Sequence, residues 1–456
     1  MESTQAIPVP AELRASFSGA LLSPGEAGYD ESRRLHNGMI DKRPGLIARC
    51  LTTADVADAV NLGRDLGVEI AVRGGGHSAA GKATTDGGLM IDLAPMKGIH
   101  VDPRARTARA QPGVTWAEFN RVTGLHGLAT TGGVVSSTGI AGLTLGGGLG
   151  YLMGAFGLTV DNLVSAEVVT AFGRVVTAST DENPDLFWAL RGGSGNFGVV
   201  TSFEYRLHPV ATVLGGLLVH PFGIAGDVVN FYRQFTGDAP DEVGVGLGLV
   251  HAPDGSGEPV VALPMCHASA DLARAEADLK PLRTFGPPVM DTVGAVPYPA
   301  VNTMLDDGFP RGALNYWKSA FLTDLTADAG AAMVEAFAQA PSPMTCIVID
   351  HLHGQAARVA ATATAFPHRQ PGYSVFILTQ WADPADTDAN MAWTRETFDA
   401  LRPYTSERRY VNYLSADDGD AVRGAYGVNY NRLVEVKRRY DPGNLFRLNQ
   451  NIDPAG

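Results

Sequence analysis

Gly132-Gly-Val-Val-Ser-Ser-Thr-Gly-Ile-Ala-Gly-Leu-Thr-Leu-Gly-Gly-Gly148-Leu-Gly150 carries eight glycines in nineteen residues and no charged side chain. A glycine-packed core turn does not need that length, whereas main chain laid along a flat, extended ligand does. A second cluster lies upstream, Arg73-Gly-Gly-Gly-His77-Ser78, directly after the apolar strand pattern Val68–Val72. Alone, it reads as a glycine-rich hairpin with a surface histidine. Beside the longer cluster it reads as a strand end whose free N–H groups converge on an anion. Around these clusters the pattern alternates between helix and strand. Thr52 with Asp55 and Thr115 with Glu118 are capping boxes, the first opening a helix to Leu66 that Gly67 stops.

The whole chain agrees with this reading. It has 54 glycines in 456 residues, 45% hydrophobic and 18% charged residues, and 35 basic against 48 acidic side chains, a net charge of −13. Large buried cores are expected and disorder is not. The negative sign argues against nucleic acid as a partner. Cys50, Cys266 and Cys346 are too few and too scattered for a disulfide framework or a metal site. No apolar run reaches the ~18–20 residues of a membrane span, and Pro8 and Pro10 interrupt the N-terminal stretch Met1–Arg14. A soluble, cytoplasmic protein with no membrane contact is expected. There is no internal repeat and no low-complexity tract.

Two nucleotide-binding look-alikes fail on context. Gly76–Ala83 nearly spells a P-loop, but Ala83 replaces the Mg²⁺-binding hydroxyl and a turn, Thr84–Gly88, stands where a helix must begin. Gly193-Ser-Gly195-Asn-Phe-Gly198 matches G-x-G-x-x-G, yet a helix (Pro184–Leu190) precedes it and a strand (Val199–Tyr205) follows, the reverse of a dinucleotide fingerprint. Between about Val210 and Pro403 the glycine clusters vanish. Long alternating stretches (Leu214–His220, Val243–His251, Tyr316–Leu322, Thr345–His353, Tyr373–Trp381) alternate with helices such as Ala268–Leu282 and Ala327–Ala338, which predicts an antiparallel or mixed sheet backed by helices. The tail reads as a short strand, Tyr410–Leu414, then a helix from about Val428 to Tyr440.

These residues, with Arg43–Cys50, Asn183–Thr201, Tyr410–Tyr413 and Tyr430–Ile452, resemble the flavin-linked oxidases of the berberine bridge enzyme-like, vanillyl-alcohol oxidase type, in the bacterial form with one covalent flavin bond. The motifs cover about 60% of the chain in family order. The resemblance implies an α+β fold: a two-lobed PCMH-type FAD-binding domain (residues 1–209, two α/β subdomains) with a C-terminal return (405–456), and an inserted substrate domain (210–404). It implies FAD joined through His77, with Arg73, Gly74, Gly75, Gly76, His77 and Ser78 around the pyrophosphate and Gly81 also binding the cofactor. Gly133, Val134, Ser137, Thr138, Gly139, Gly142 and Gly150 would run beside the flavin ring. Gly198 and Val199 would reach the cofactor by backbone, and Asn449 would support it from the tail. Val134 matches the position where many relatives carry a second, cysteine link, so a single bond is expected. Thr138 stands where the family often has an apolar residue, which leaves oxidase and oxygenase both open.

The implied activity is hydride transfer from a small organic molecule (an alcohol, sugar, amine or polyketide) to FAD, with O₂ as acceptor giving H₂O₂. A flavin-dependent oxygenase and a non-catalytic flavin- or drug-binding protein are the alternatives. Oxidation at a C–OH or C–NH carbon needs a base for the heteroatom proton. The resemblance assigns it to the Tyr-x-Asn-Tyr stretch, Tyr413 first and Tyr410 second, although an ordinary tyrosine hydroxyl near pKa 10 costs roughly 4 kcal/mol to ionise at pH 7. The strand Tyr373–Trp381 carries no carboxylate, which favours an apolar substrate face. Alternation puts His351 and His353 on one face with Ile347 and Ile349, either as a hydrogen-bonding pair toward substrate or as ordinary strand histidines. Two histidines without a third ligand do not make a zinc site.

Overall fold

The computed structural model describes residues 5–456 apart from Pro253 and Thr323. Met1–Thr4, part of the N-terminal stretch considered above, lie outside the described residues. A four-stranded sheet comes first, ordered Ala20–Leu22, Leu46–Arg49, Leu89–Asp92, Ile70–Arg73. Its last three strands run parallel, and the helix Thr53–Leu66 packs on them. Both ends of that helix form as the sequence predicts. Thr52 and Asp55 close a reciprocal capping box, and Gly67 ends the helix at φ 65°. The second box, Thr115 with Glu118, likewise opens the helix Trp116–Gly124.

A five-stranded antiparallel sheet follows, ordered Ile99–Asp102, Thr107–Ala110, Val199–Arg206, Leu163–Val169, Val175–Ser179. The third sheet has eight strands and lies within residues 212–381. Cys346–Leu352 sits near its middle, between Val243–His251 and Gly372–Trp381, and every pairing in it is antiparallel. The helices Ala225–Gly237, Leu272–Thr284, Ala327–Phe337 and Thr387–Leu401 pack their apolar side chains on one face, with Ile347, Ile349, Val375 and Ile377. The α+β fold class is as expected, and the long sheet is wholly antiparallel. Among the described residues no helix is long and apolar enough to cross a membrane, and no group of side chains is arranged to hold a metal ion.

Two expected elements differ. Tyr410–Leu414 is no strand: Val411–Tyr413 is a 3₁₀ turn in which the Tyr413 N–H donates to the Tyr410 carbonyl at 2.9 Å. Five residues are too short for alternation to separate strand from turn. The tail helix begins at Tyr430, after a second 3₁₀ turn, Gly427–Asn429.

Candidate active site

A cavity of about 360 Å³ opens where the glycine clusters meet the uncovered face of the long sheet. Its wall includes Gly74–Ser78 together with Gly133, Val134, Thr138, Gly139, Gly142, Gly150, Gly198, Val199 and Asn449. At Gly75 and Gly139 the two clusters touch: a Cβ on Gly75 would stand 2.5 Å from both the Cα and the N of Gly139. Only glycine at both positions lets the strands of main chain pass. Gly142 and Gly195 face open space, where a Cβ would project into the cavity.

Not every glycine of the long cluster serves a ligand. Ile140–Leu145 is a short helix rather than extended ribbon. Gly146, Gly147 and Gly148 lie against Asn412, Phe366 and Thr159 of the protein itself. Those three glycines therefore serve tertiary packing.

Three expected contacts need correction. The Arg73 guanidinium does not face the cavity. It pairs with both carboxylate oxygens of buried Asp92 at 2.9 Å and donates to the carbonyls of Ser32 and Arg34. The parallel register puts Arg73 directly beside Asp92, so this charge is spent on the sheet and only its neighbours' backbone is free for an anion. Gly81 makes a turn, its N–H bonded to Ser78 O and its φ at 67°, packed under Ile40 away from the cavity wall. Ser137 is held off the wall and instead meets His77 Nε2 at 3.0 Å.

The His77 imidazole stacks on His36 with ring centroids 3.9 Å apart. Burial, with smaller contributions from His36 and Arg311, pushes its pKa down to about 3. The ring is therefore neutral at physiological pH and keeps a lone pair for bonding. Among the described residues Nδ1 has no hydrogen-bond partner.

The tail closes the opposite end. Asn449 Nδ2 donates to Gly195 O and Phe446 O, while its buried Oδ1 lacks a partner. Lys82, from the string that resembles a P-loop, lines the cavity and donates to Asn449 O at 2.7 Å and Gln450 Oε1 at 2.8 Å. The Gly193–Gly198 string holds the tail too: Asn196 bonds Gln450 O through Nδ2 and Ile452 N through Oδ1. Glycine backbone, an orphaned amide oxygen, a lysine and a neutral histidine make a donor and acceptor set that fits a dinucleotide carrying a flat ring. Sequence reasoning missed Lys82 because nothing local shows that the tail folds back over it.

On the sheet side, Trp317, Val348, Phe376 and Leu378 form an apolar wall. Tyr413 stacks on Phe376 at 3.9 Å and meets Tyr410 edge-on at 4.7 Å. Tyr410 is committed: its hydroxyl oxygen accepts from Gly148 N–H at 2.9 Å and from Asn412 Nδ2 at 2.8 Å, and burial raises its pKa to about 12. Tyr413 is pushed well above 10, first by burial and then by the negative charge of Asp350. Neither phenol ionises near neutral pH.

Asp350 opens the titratable stretch Asp350–His353, in which sequence reasoning gave a role only to the two histidines. It lines the cavity against the Tyr413 hydroxyl. Burial raises its pKa from 3.8 to about 6, with the Tyr413 hydroxyl pulling the other way. His351 and His353 lie off the cavity wall. They are buried, stacked on each other at 4.4 Å, with His351 also stacked on Tyr373. Strand alternation puts His351 with Ile347 and Ile349 on the helix-covered face, and Val348 with Asp350 on the cavity face.

An FAD-binding-domain family model matches residues 44–179, and a "berberine and berberine like" model matches residues 409–453. Over 97% of its length the chain is 33% identical to (R)-6-hydroxynicotine oxidase of Paenarthrobacter nicotinovorans, covering 98% of that protein. It is 29% identical to an FAD-linked oxidoreductase of Dictyostelium discoideum, across all of this chain and 99% of the relative. Among solved structures, 6-hydroxy-D-nicotine oxidase from Arthrobacter nicotinovorans superposes with a TM-score of 0.89 at 31% identity, covering 98% of this chain and all of that one. Chitooligosaccharide oxidase shares the fold at a TM-score of 0.84 and 24% identity, covering 97% of this chain and 98% of that one. With an FAD-binding-domain match, a folded-back tail and a full-length match to such relatives, the chain belongs to the berberine bridge enzyme-like family of FAD-linked oxidoreductases.

Proposed function

We propose that this oxidoreductase is an oxidase of small, largely apolar organic molecules, with Asp350 as the base, Tyr413 as its proton-handling partner, and His77 as the covalent tether for FAD. Bound FAD supplies the hydride acceptor. O₂ takes the electrons away as H₂O₂, a reading supported by relatives named as oxidases. The observation that carries the proposal is a carboxylate on the cavity wall with a pKa near 6, set against a tyrosine hydroxyl inside an apolar box. A base poised just below working pH is mostly ionised yet still basic enough to take a proton in the transition state.

The division of labour follows from the two titrations. Tyr413 stays protonated, so it donates a hydrogen bond and passes a proton on; Asp350 receives it. Tyr410 props the Gly146–Gly148 turn by accepting from Gly148 N–H, and its second accepted bond orients Asn412 Nδ2. The neutral His77 ring, held by Ser137 and His36, presents a nitrogen lone pair suited to one covalent bond. Val134 has no thiol to offer a second. The wall of Leu305, Phe309, Trp317, Val348, Phe376 and Leu378 has little to offer a polyhydroxylated sugar, and Trp317 Nε1 already donates to Asn315 Oδ1 at 3.1 Å. Aromatic alcohols and amines are the expected substrates.

An anaerobic screen tests this. Purified yellow protein is mixed with aromatic alcohols, amines and phenols, and flavin absorbance is followed. Bleaching by some of them, then recovery with stoichiometric peroxide on admitting O₂, is expected. A flavin that none of them reduces refutes the oxidase reading, and labelled oxygen in the product refutes it in favour of an oxygenase.

A further inference from the structure

The cavity has an outer wall made by a strap from the long-sheet region, Asn302 to Ala313, which crosses to the glycine loops and is tied down at both ends. At its start, Asn302 is buried, donates to Gly133 O at 2.6 Å and bonds Asn120. At its end, Gly312 N–H donates to His36 O at 2.9 Å, and Gly38 N–H donates to Ala313 O at 2.8 Å. Between them, the short 3₁₀ turn Asp306–Gly308 carries Leu305 and Phe309 at its two edges, and both side chains line the cavity. Phe309 packs on the cluster of Trp317, Cys346, Phe376 and Leu378. The strap therefore completes the apolar box around Asp350 and Tyr413.

The middle of the strap is held from two sides: Gln380 Nε2 donates to Gly308 O at 3.2 Å from the sheet, and the Asp306 carboxylate ties the turn to the glycine loops. Asp306 Oδ1 accepts the Ser136 N–H at 2.7 Å and Oδ2 accepts the Ser136 hydroxyl at 2.5 Å. Ser136 is 3% exposed, and its carbonyl accepts from Ala117 N–H at 2.9 Å, so the loop on the far side of the clamp is itself fixed to a helix. A two-point, charge-assisted contact defines both distance and orientation, which a single hydrogen bond does not. The next residue, Ser137, is the one that touches His77.

We infer that Asp306 is a positioning residue that sets which substrates the chamber accepts, by clamping the Leu305–Phe309 wall to Ser136 at a fixed distance from the Asp350–Tyr413 pair. The inference rests on the reading of that pair as the reacting end of the substrate chamber. Asp306 does no chemistry itself. Releasing it lets the wall retreat, so the chamber loses its grip on small ligands and stops rejecting larger ones.

The test uses binding without turnover, so that it does not depend on finding the substrate. para-Alkylbenzamides from methyl to butyl are titrated into the flavin-loaded protein, and Kd is read from the change in flavin absorbance. In the parent protein, affinity should fall once the alkyl chain meets the wall. Asp306→Ala should weaken the methyl compound about tenfold and lower the butyl-to-methyl ratio of Kd values at least tenfold. Phe309→Ala should reproduce that ratio. Asp306→Asn, which still accepts from the Ser136 N–H and bonds its hydroxyl, should keep the parent ratio within about threefold. Circular dichroism melting identifies a variant that has lost its fold, and the Phe309→Ala and Asp306→Asn arms then carry the test. Parent-like ratios in Asp306→Ala or in Phe309→Ala, or a collapsed ratio in Asp306→Asn, overturn the inference. A series that perturbs the flavin in no variant overturns the chamber reading beneath it instead.

Discussion

Replacing Asp350 by asparagine separates a carboxylate base from a tyrosine base, because the two titrate in different pH ranges. With Asp350 near 6, the fraction ionised is about one-tenth at pH 5 and about nine-tenths at pH 7. The rate of anaerobic flavin reduction should therefore rise about ninefold between those values and then level off. A tyrosine held well above 10 would instead leave the rate still climbing at pH 9. Asp350→Asn cannot accept the proton, so the limb near pH 6 should vanish and the plateau drop by about 10²–10⁴, the span expected for loss of a general base. Stopped-flow absorbance on the substrate found by screening reads both quantities.

The same variant carries a stability signature of opposite sign. Raising a carboxyl from 3.8 to about 6 corresponds to at most about 3 kcal/mol of preference for its protonated form. Between pH 4 and 6 the folded protein holds a proton that the unfolded chain has released, so stability falls as pH rises through that window. Above pH 6 the whole penalty is present. Asp350→Asn lacks it and should melt higher than the parent at pH 8 but not at pH 4. A variant that keeps a pH limb near 6, or reduces flavin within threefold of the parent, refutes the assignment.

Tyr413→Phe should slow flavin reduction about 10²-fold, and the kinetic pKa should rise above 6, since the tyrosine hydroxyl is what lowers Asp350; an unchanged pKa would separate the two groups. His77→Ala should still bind FAD through the backbone cradle but release it to the supernatant on acid precipitation, where the parent should keep its colour in the pellet. Lys437→Met leaves Asp441 buried without its cation. Both side chains are fully buried, and Asp441 also accepts the N–H groups of Leu445 and Phe446 that start the tail. A loss of about 3–5 kcal/mol is expected, together with weaker FAD retention because Asn449 lies just beyond; thermal melting and flavin content check it.

Helix starts were legible from neighbouring residues. The capping boxes at Thr52 and Thr115 depend on side chains three residues apart, and both form. The Gly75–Gly139 contact, which only bare main chain tolerates, became visible only when the fold brought the two glycine clusters together. Arg73 looked like an anion ligand, but its partner Asp92 becomes visible only when two parallel strands align. The Tyr410–Leu414 segment reads as a strand because aromatic residues favour strands, yet Val411–Tyr413 winds into a 3₁₀ turn.

The amino-acid order alone settled the family and pointed to the glycine clusters and His77 that line the cavity, because those features are short stretches whose chemistry travels with them. Which titratable group faces the cavity was decided by the folded molecule. On the strand Cys346–Leu352, alternation divides the side chains into two sets but does not say which set meets solvent, helix or cavity. Four helices cover the face of Ile347, Ile349 and His351, and that leaves Asp350 facing the cavity beside a tyrosine that arrives from 63 positions further along the chain, where loss of water lifts its pKa into the working range.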